Sequence, residues 1–274
     1  MSIKTILLHL TNDDRLNVRI DVALNIATEH NAHIRALYVV TPATPPTSFM
    51  GYIPPEFVER TRGIEAENAK AASATLKEEA AKRNISVTVI KEEGYAAEII
   101  NKHALAADLV IIGQVDPEDD KTAQYQYLAD EMVIGCPCPI FAVPYAGNFT
   151  EFGSHILVGW NNTREAGRAL KGAMPFMKKA KKVTLLSINP TEDQNHENEA
   201  ALRHLERHGV NAVVKVGHWR DVDVGNALLD SLVDLNADML VMGAYGHSRI
   251  REMILGGATK EILGHMTAPV LFSH

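Results

Sequence analysis

The feature that most constrains this chain is that it runs through one pattern twice. Apolar runs at Thr5–Leu10, His33–Val40, Ser86–Ile90, Asp108–Gly113 and Pro139–Pro144 alternate with amphipathic stretches at Arg15–Glu29, Glu56–Arg83, Ala96–Leu105 and Thr122–Ile134. Continuous rather than alternating apolar runs suit strands buried on both faces of a parallel sheet. The series then restarts. Runs at His155–Trp160, Val183–Ile188, Ala212–Val216, Asp238–Gly243 and Pro269–Phe272 alternate with helical patterns at Thr163–Ala180, Glu192–His208, Val224–Asn236 and Thr259–Met266. Strands separated by helices imply right-handed crossovers and an α/β fold. Asp108-Leu-Val-Ile-Ile-Gly113 is echoed by Asp238-Met-Leu-Val-Met-Gly243, and Pro139-Ile-Phe-Ala by Pro269-Val-Leu-Phe. A repeat of this length predicts two tandem domains, 1–147 and 154–274. The break falls in the polar stretch Ala146-Gly-Asn-Phe-Thr-Glu-Phe-Gly-Ser154.

Composition narrows the partners. A net charge of −7 over 274 residues argues against nucleic acid, whose phosphates demand clustered Lys and Arg. An anionic small ligand stays open, because main-chain N–H groups hold phosphate without net positive charge. No run reaches the roughly 18 apolar residues that span a bilayer, and the first residues lack a signal-peptide pattern, so no membrane partner and a cytoplasmic location are expected. The two cysteines, Cys136 and Cys138, are too close for an unstrained disulfide; a reducing compartment and structural burial of both are expected. The twelve histidines are scattered without metal-ligand spacing, and His204 with His208 reads as a solvated helix face, so no metal site is expected.

The chemistry concentrates in Gly243-Ala-Tyr-Gly-His-Ser-Arg-Ile-Arg-Glu-Met-Ile-Leu-Gly-Gly-Ala-Thr-Lys260. It begins at a strand end and finishes at a helix start, where Gly256, Gly257 and Ala258 let an anion approach unpaired N–H groups and the helix dipole. Thr259 either caps that helix or offers its hydroxyl to a phosphate. Neither a Walker A loop nor a Rossmann fingerprint is present. The spacing Gly243-x2-Gly246-x9-Gly256, before a helix and a final Pro-Val-Leu-Phe strand, resembles the ATP-binding signature of the universal stress protein family. The tandem arrangement resembles that family's two-domain members.

The resemblance implies open five-stranded parallel sheets with ATP, with or without Mg, at the carboxyl ends of the strands. It implies ribose and phosphate at Gly243 and Gly246, phosphates at Gly256, Gly257, Ala258 and Thr259, and adenine near Asn161 and Ile188. His247 lies among the phosphate glycines and is a further candidate contact. Two positions depart from the family: Gly257 replaces the usual Ser or Thr, and Asn161 the usual Asp, keeping an acceptor but losing a charge. In the first half, Gly113-Gln-Val-Asp-Pro-Glu-Asp-Asp120 keeps one glycine and gains four acids, so a degenerate motif without ATP is expected there.

The leading expectation is an ATP-binding stress-response module acting as nucleotide sensor or scaffold toward protein partners. One alternative is slow ATP hydrolysis, with Arg249 or His247 steadying charge. No evident catalytic base is placed by spacing, and Glu252 is near the site only by proximity. The other is a different ligand in the first domain, under a lid at Pro42–Pro55 carrying Phe49, Met50 and Tyr52. The halves are expected to pair through their final strands as an intramolecular pseudo-dimer, and a further homodimer stays open.

Overall fold

The computed structural model describes residues 2–41, 55–219, 222–244 and 257–274. The first half runs β1 (Thr5–Leu10), α1 (Leu16–His30), β2 (His33–Val40), α2 (Pro55–Lys82), β3 (Val87–Glu93), α3 (Ala96–Ala104), β4 (Leu109–Gly113), α4 (Leu128–Gly135) and β5 (Ile140–Val143). The second runs β6 (His155–Gly159), α5 (Arg164–Gly172), α6 (Met174–Met177), β7 (Lys182–Ile188), α7 (Glu192–Arg207), β8 (Ala212–Gly217), α8 (Val224–Asp234), β9 (Met239–Gly243), α9 (Ala258–His265) and β10 (Val270–Ser273).

All ten strands form one sheet in the order β3-β2-β1-β4-β5-β10-β9-β6-β7-β8. Each half is parallel throughout, as its uninterrupted apolar strands require: Ile6, Leu7 and Leu8 of β1 are all fully buried. The halves meet where β5 and β10 pair antiparallel, with Phe141 opposite Leu271. This is the expected pseudo-twofold seam. Phe141 also stacks on Phe176 from α6, ring centroids 5.8 Å apart. The buried Gln114 side chain crosses the seam, donating from Nε2 to the carbonyls of Leu263 (2.9 Å) and Gly264 (3.0 Å) at the end of α9. The outer strands β3 and β8 are half-exposed, and Lys91, Glu92, Glu93 and Lys215 place charge on these two edge strands.

The core lies on both faces. Buried residues of α1, α2, α5, α6 and α7 cluster on one, those of α3, α4, α8 and α9 on the other. Two expected helices are broken. Thr163–Ala180 splits into α5 and α6, because Pro175 has no N–H to continue the ladder. Thr122–Ile134 splits into a 3₁₀ turn at Ala123–Tyr125, closed by the Tyr125 N–H on the Thr122 carbonyl (2.8 Å), and α4. The turn leaves Tyr125 buried edge-on against His9, centroids 5.0 Å apart. No described helix is long and apolar enough to cross a membrane.

Candidate functional site

In the second half the chain leaves β6 for β7 and β8 on one side, then returns to β9 and β10 on the other. The strand order therefore reverses between β6 and β9, the place where open α/β sheets leave a crevice at their carboxyl ends. Gly159 of β6 pairs with Leu186 of β7 and Met242 of β9, so Asn161, Ile188 and Gly243 emerge along one edge. Three residues far apart in sequence are thereby brought together.

Each is held for a local reason. Asn161 is exposed, and its Oδ1 accepts from the Thr163 hydroxyl (2.9 Å) and N–H (3.3 Å); Thr163 in turn caps α5 by accepting from the Ala166 N–H. The acceptor expected to face a ligand is committed to this turn, which leaves the Asn161 amide nitrogen as the outward donor. Ile188 ends β7 half-buried. Beyond it Asn189 turns with φ 47° and exchanges two 2.9 Å hydrogen bonds with the Trp219 backbone, clamping the ends of β7 and β8 together. The Trp219 indole folds over Gly217, where a Cβ has no room. Trp219 packs on the same core face as Ile188 and is a candidate that hydrophobic periodicity does not pick out; its signal is an aromatic side chain just past the apolar run Ala212–Val216.

Gly243 is needed for packing. A Cβ there would lie 2.5 Å from the carbonyl carbon of Glu165 and 2.9 Å from Cα of Ala166, with the Ala166 nitrogen closer still. Only glycine lets the first turn of α5 sit against the end of β9. Gly257 precedes α9 without a side-chain cap, and Ala258 packs on the core face that also takes Ile188 and Trp219. Thr259 is 2% exposed. Glu261 packs against Gly225 at the start of α8, so the first turns of α8 and α9 lie side by side. Lys260 is exposed. Gly246, His247, Arg249, Arg251, Glu252 and Gly256, and positions 42–54 of the expected lid, lie outside the described residues. Among the described residues no cluster of His, Cys, Asp and Glu is arranged to hold a metal ion.

The first half differs at the same edge. Matching the registers of β1 and β6 sets Thr11 against Asn161, Asp13 against Thr163, Arg19 against Ala169 and Gly113 against Gly243. Here Arg19 fills the gap beside Gly113, whose added Cβ would meet the guanidinium. Arg19 Nη2 donates to Thr11 Oγ1 and to Asp13 Oδ2 (2.8 Å), and Arg19 and Asp13 are 3% and 5% exposed. Asp13 also accepts from the Thr11 hydroxyl (2.6 Å) and the Arg15 N–H (2.8 Å). The acidic loop closes on itself through Thr122, whose Oγ1 accepts from the Asp116 N–H, while Lys121 Nζ reaches Asp14 Oδ1 (2.6 Å). The remaining crevice, between Thr11, Asn12, Tyr38, Glu65 and Tyr125, measures about 160 Å³. Pockets for drug-sized ligands typically span about 300–1,000 Å³.

His9 lies beneath this network, its Nε2 buried without a partner among the described residues. Burial, reinforced by the Arg19 charge and opposed by Asp13, lowers its pKa from 6.5 to about 3. The folded state thus keeps His9 neutral where the unfolded chain takes up a proton. The stability it confers is complete above about pH 6.5 and is lost as pH falls toward 3. Between pH 7 and pH 5, urea unfolding is expected to show a loss of about 2 kcal/mol that His9→Phe abolishes. An unchanged pH slope in that variant would refute the assignment.

The profile of the universal stress protein family matches residues 2–144 and 189–274. The fold and site define a tandem α/β protein of that kind, and the chain belongs to the universal stress protein family. Universal stress protein Slr1230 of Synechocystis sp. is 38% identical over 69 residues, which is 24% of this chain and 22% of that protein. A universal stress protein from Archaeoglobus fulgidus superposes with a TM-score of 0.76 at 15% identity, covering 99% of this chain and 96% of its own. The functionally unknown protein PA1789 from Pseudomonas aeruginosa gives 0.62 at 18% identity, over 99% and 92%. At these identities the likeness is one of fold.

Proposed function

We propose that the second half binds an adenine nucleotide, ATP with or without Mg, and that the protein is a cytoplasmic nucleotide-responsive module of the stress response. The observation that carries this reading is the convergence of Asn161, Ile188 and Gly243 on one sheet edge at the β6/β9 switch point. The same half holds a helix that starts at Gly257-Ala258-Thr259 without a side-chain cap. Main-chain N–H groups at the start of α9 take the phosphates. Thr259 is buried, so its hydroxyl is not the group offered to the phosphates. Ile188 and Trp219 supply the apolar wall for the base. The first half takes no nucleotide, because Arg19 and the self-closed acidic loop occupy the equivalent edge. The residues invoked for hydrolysis, Arg249 and His247, lie outside the described residues, and binding rather than turnover is the better supported reading.

The test is to denature the purified protein, identify released small molecules, and titrate AMP, ADP and ATP by calorimetry with and without Mg. Recovered adenine nucleotide, or saturable binding at one site per chain, is the expected result. No released nucleotide together with no heat and no melting shift overturns the reading. Gly257→Ser restores the hydroxyl usual in the family, at a φ of −40° that serine tolerates. It is expected to tighten phosphate-bearing nucleotides about 2- to 10-fold while leaving adenosine unchanged. Equal effects on adenosine and ATP would show that α9 does not face the phosphates.

A further inference from the structure

At the end of the sheet where β1, β4 and β5 begin and β9 and β10 finish, the seam between the halves opens into a groove of about 530 Å³. Cys136 and Cys138 line it, together with Asp108, Arg168, Lys171 and His274. The expectation that both thiols are structurally buried is corrected here: both are free and only half-buried. Their sulfurs are 3.9 Å apart. The chain bends at Pro137 and Cys138, which brings the two side chains to one side. Both flanks of the bend are anchored. The Cys136 N–H bonds the Met132 carbonyl at the end of α4 (2.8 Å), and the Pro139 carbonyl accepts from the Val110 N–H (3.0 Å). A rigid frame therefore holds two thiols close to contact at the mouth of a groove that a small reactant can enter.

We propose that Cys136 and Cys138 form a reactive dithiol that hydroperoxides oxidise to an intrachain disulfide, Cys136 attacking and Cys138 resolving. The roles follow from asymmetry. The hydrogen bond between the two sulfurs, working against burial, holds the Cys136 thiol below its ordinary value. The same bond, with burial and the nearby Asp108, pushes the Cys138 thiol up. Thiolate is the nucleophilic form, and Lys171 and Arg168 on the groove wall favour an anion there.

In the first step the Cys136 thiolate attacks a peroxide oxygen and the O–O bond breaks. Its electron pair leaves on an alkoxide, which takes up the proton that Cys136 had released, and Cys136 becomes a sulfenic acid. In the second step the Cys138 sulfur attacks the Cys136 sulfur, the S–O bond breaks, and the departing hydroxide takes the Cys138 proton as water. Two thiols give up two electrons and two protons; the hydroperoxide becomes an alcohol and water. Closing the sulfurs from 3.9 Å to a bond of about 2.05 Å asks for side-chain rotation within the bend. The short spacing that strains such a ring makes the disulfide labile, hence readily reversed by a dithiol.

The experiment treats the reduced full-length protein with hydrogen peroxide at pH 7, then reads intact mass and residual alkylatable thiol. The chain holds two cysteines, so an intrachain disulfide has one possible pairing. A monomer that loses two hydrogen masses and both alkylation sites, and regains them with dithiothreitol, is expected. Cys138→Ser is expected to stop at a sulfenic acid trapped by dimedone, and Cys136→Ser to slow thiol loss about tenfold or more. Three results overturn the proposal: both thiols still alkylatable after the peroxide is spent, disulfide formed only between chains, or loss in Cys136→Ser as fast as in wild type. An equal rate in urea-unfolded protein would also overturn it, because the frame would then contribute nothing.

Discussion

Asp13→Ala is expected to cost about 3–5 kcal/mol of folding stability, seen as a lower urea midpoint at an unchanged slope. The cost comes less from lost attraction than from what stays behind. Arg19 is 3% exposed; among the described residues its Nε has no partner, and without Asp13 its charge keeps only the Thr11 hydroxyl. Replacing both partners, Asp13→Ala with Arg19→Met, removes the stranded charge and is expected to recover at least half of the loss. A single variant within about 1 kcal/mol of wild type would show that Arg19 swings to solvent. Burial alone would raise the Asp13 pKa, but the Arg19 charge and the bonds from Arg19, Thr11 and Arg15 outweigh it, and the net shift is downward. A depressed carboxylate stabilises the fold above its unfolded value of about 3.9 and ceases to do so as pH falls through the lower folded value. This contribution is therefore lost at more acid pH than that of His9, and the two separate in a pH series.

Gly243→Ala is expected to destabilise by about 3 kcal/mol and to lower the melting temperature by roughly 6–12 °C. The new methyl meets the backbone of Glu165 and Ala166, which cannot rotate away as a side chain does. Relief requires α5 to lift from β9 and from the Asn161–Thr163 turn that precedes it. The equivalent Gly113→Ala meets the movable end of Arg19 and is expected to cost about 1 kcal/mol. Nearly equal losses at the two glycines, in parallel thermal melts, would refute this packing account. The result also governs how binding data are read. Under the proposed function, loss of nucleotide in Gly243→Ala would report a displaced helix, whereas Gly257→Ser changes only the start of α9, the proposed phosphate end.

Much of the fold was open to a reader of the sequence. Runs such as Ile6–Leu8 announce strands covered on both faces, and the echo of Asp108–Gly113 in Asp238–Gly243 announces the duplication. Boundaries fell within a few residues. The misreadings trace to short-range chemistry that periodicity does not register: Pro175 breaking the ladder between α5 and α6, and Tyr125 turning inward beside His9. At the candidate site, the glycine spacing pointed to the end of β9. It did not reveal that Gly243 is required by α5, that the Asn161 acceptor is spent on Thr163, or that Trp219 folds over Gly217 and is clamped by Asn189.

Residue order alone therefore determined the duplication, the parallel sheets and the helix that starts after Gly257. These depend on hydrophobic periodicity and glycine placement, which are local properties. The pairing of Asp13 with Arg19, the clamp of Asn189 on Trp219 and the approach of the two sulfurs across Pro137 were settled only by packing. Each depends on distances of a few ångströms between groups whose positions come from different strands and turns, and on burial that converts an ordinary side chain into one that must find a partner.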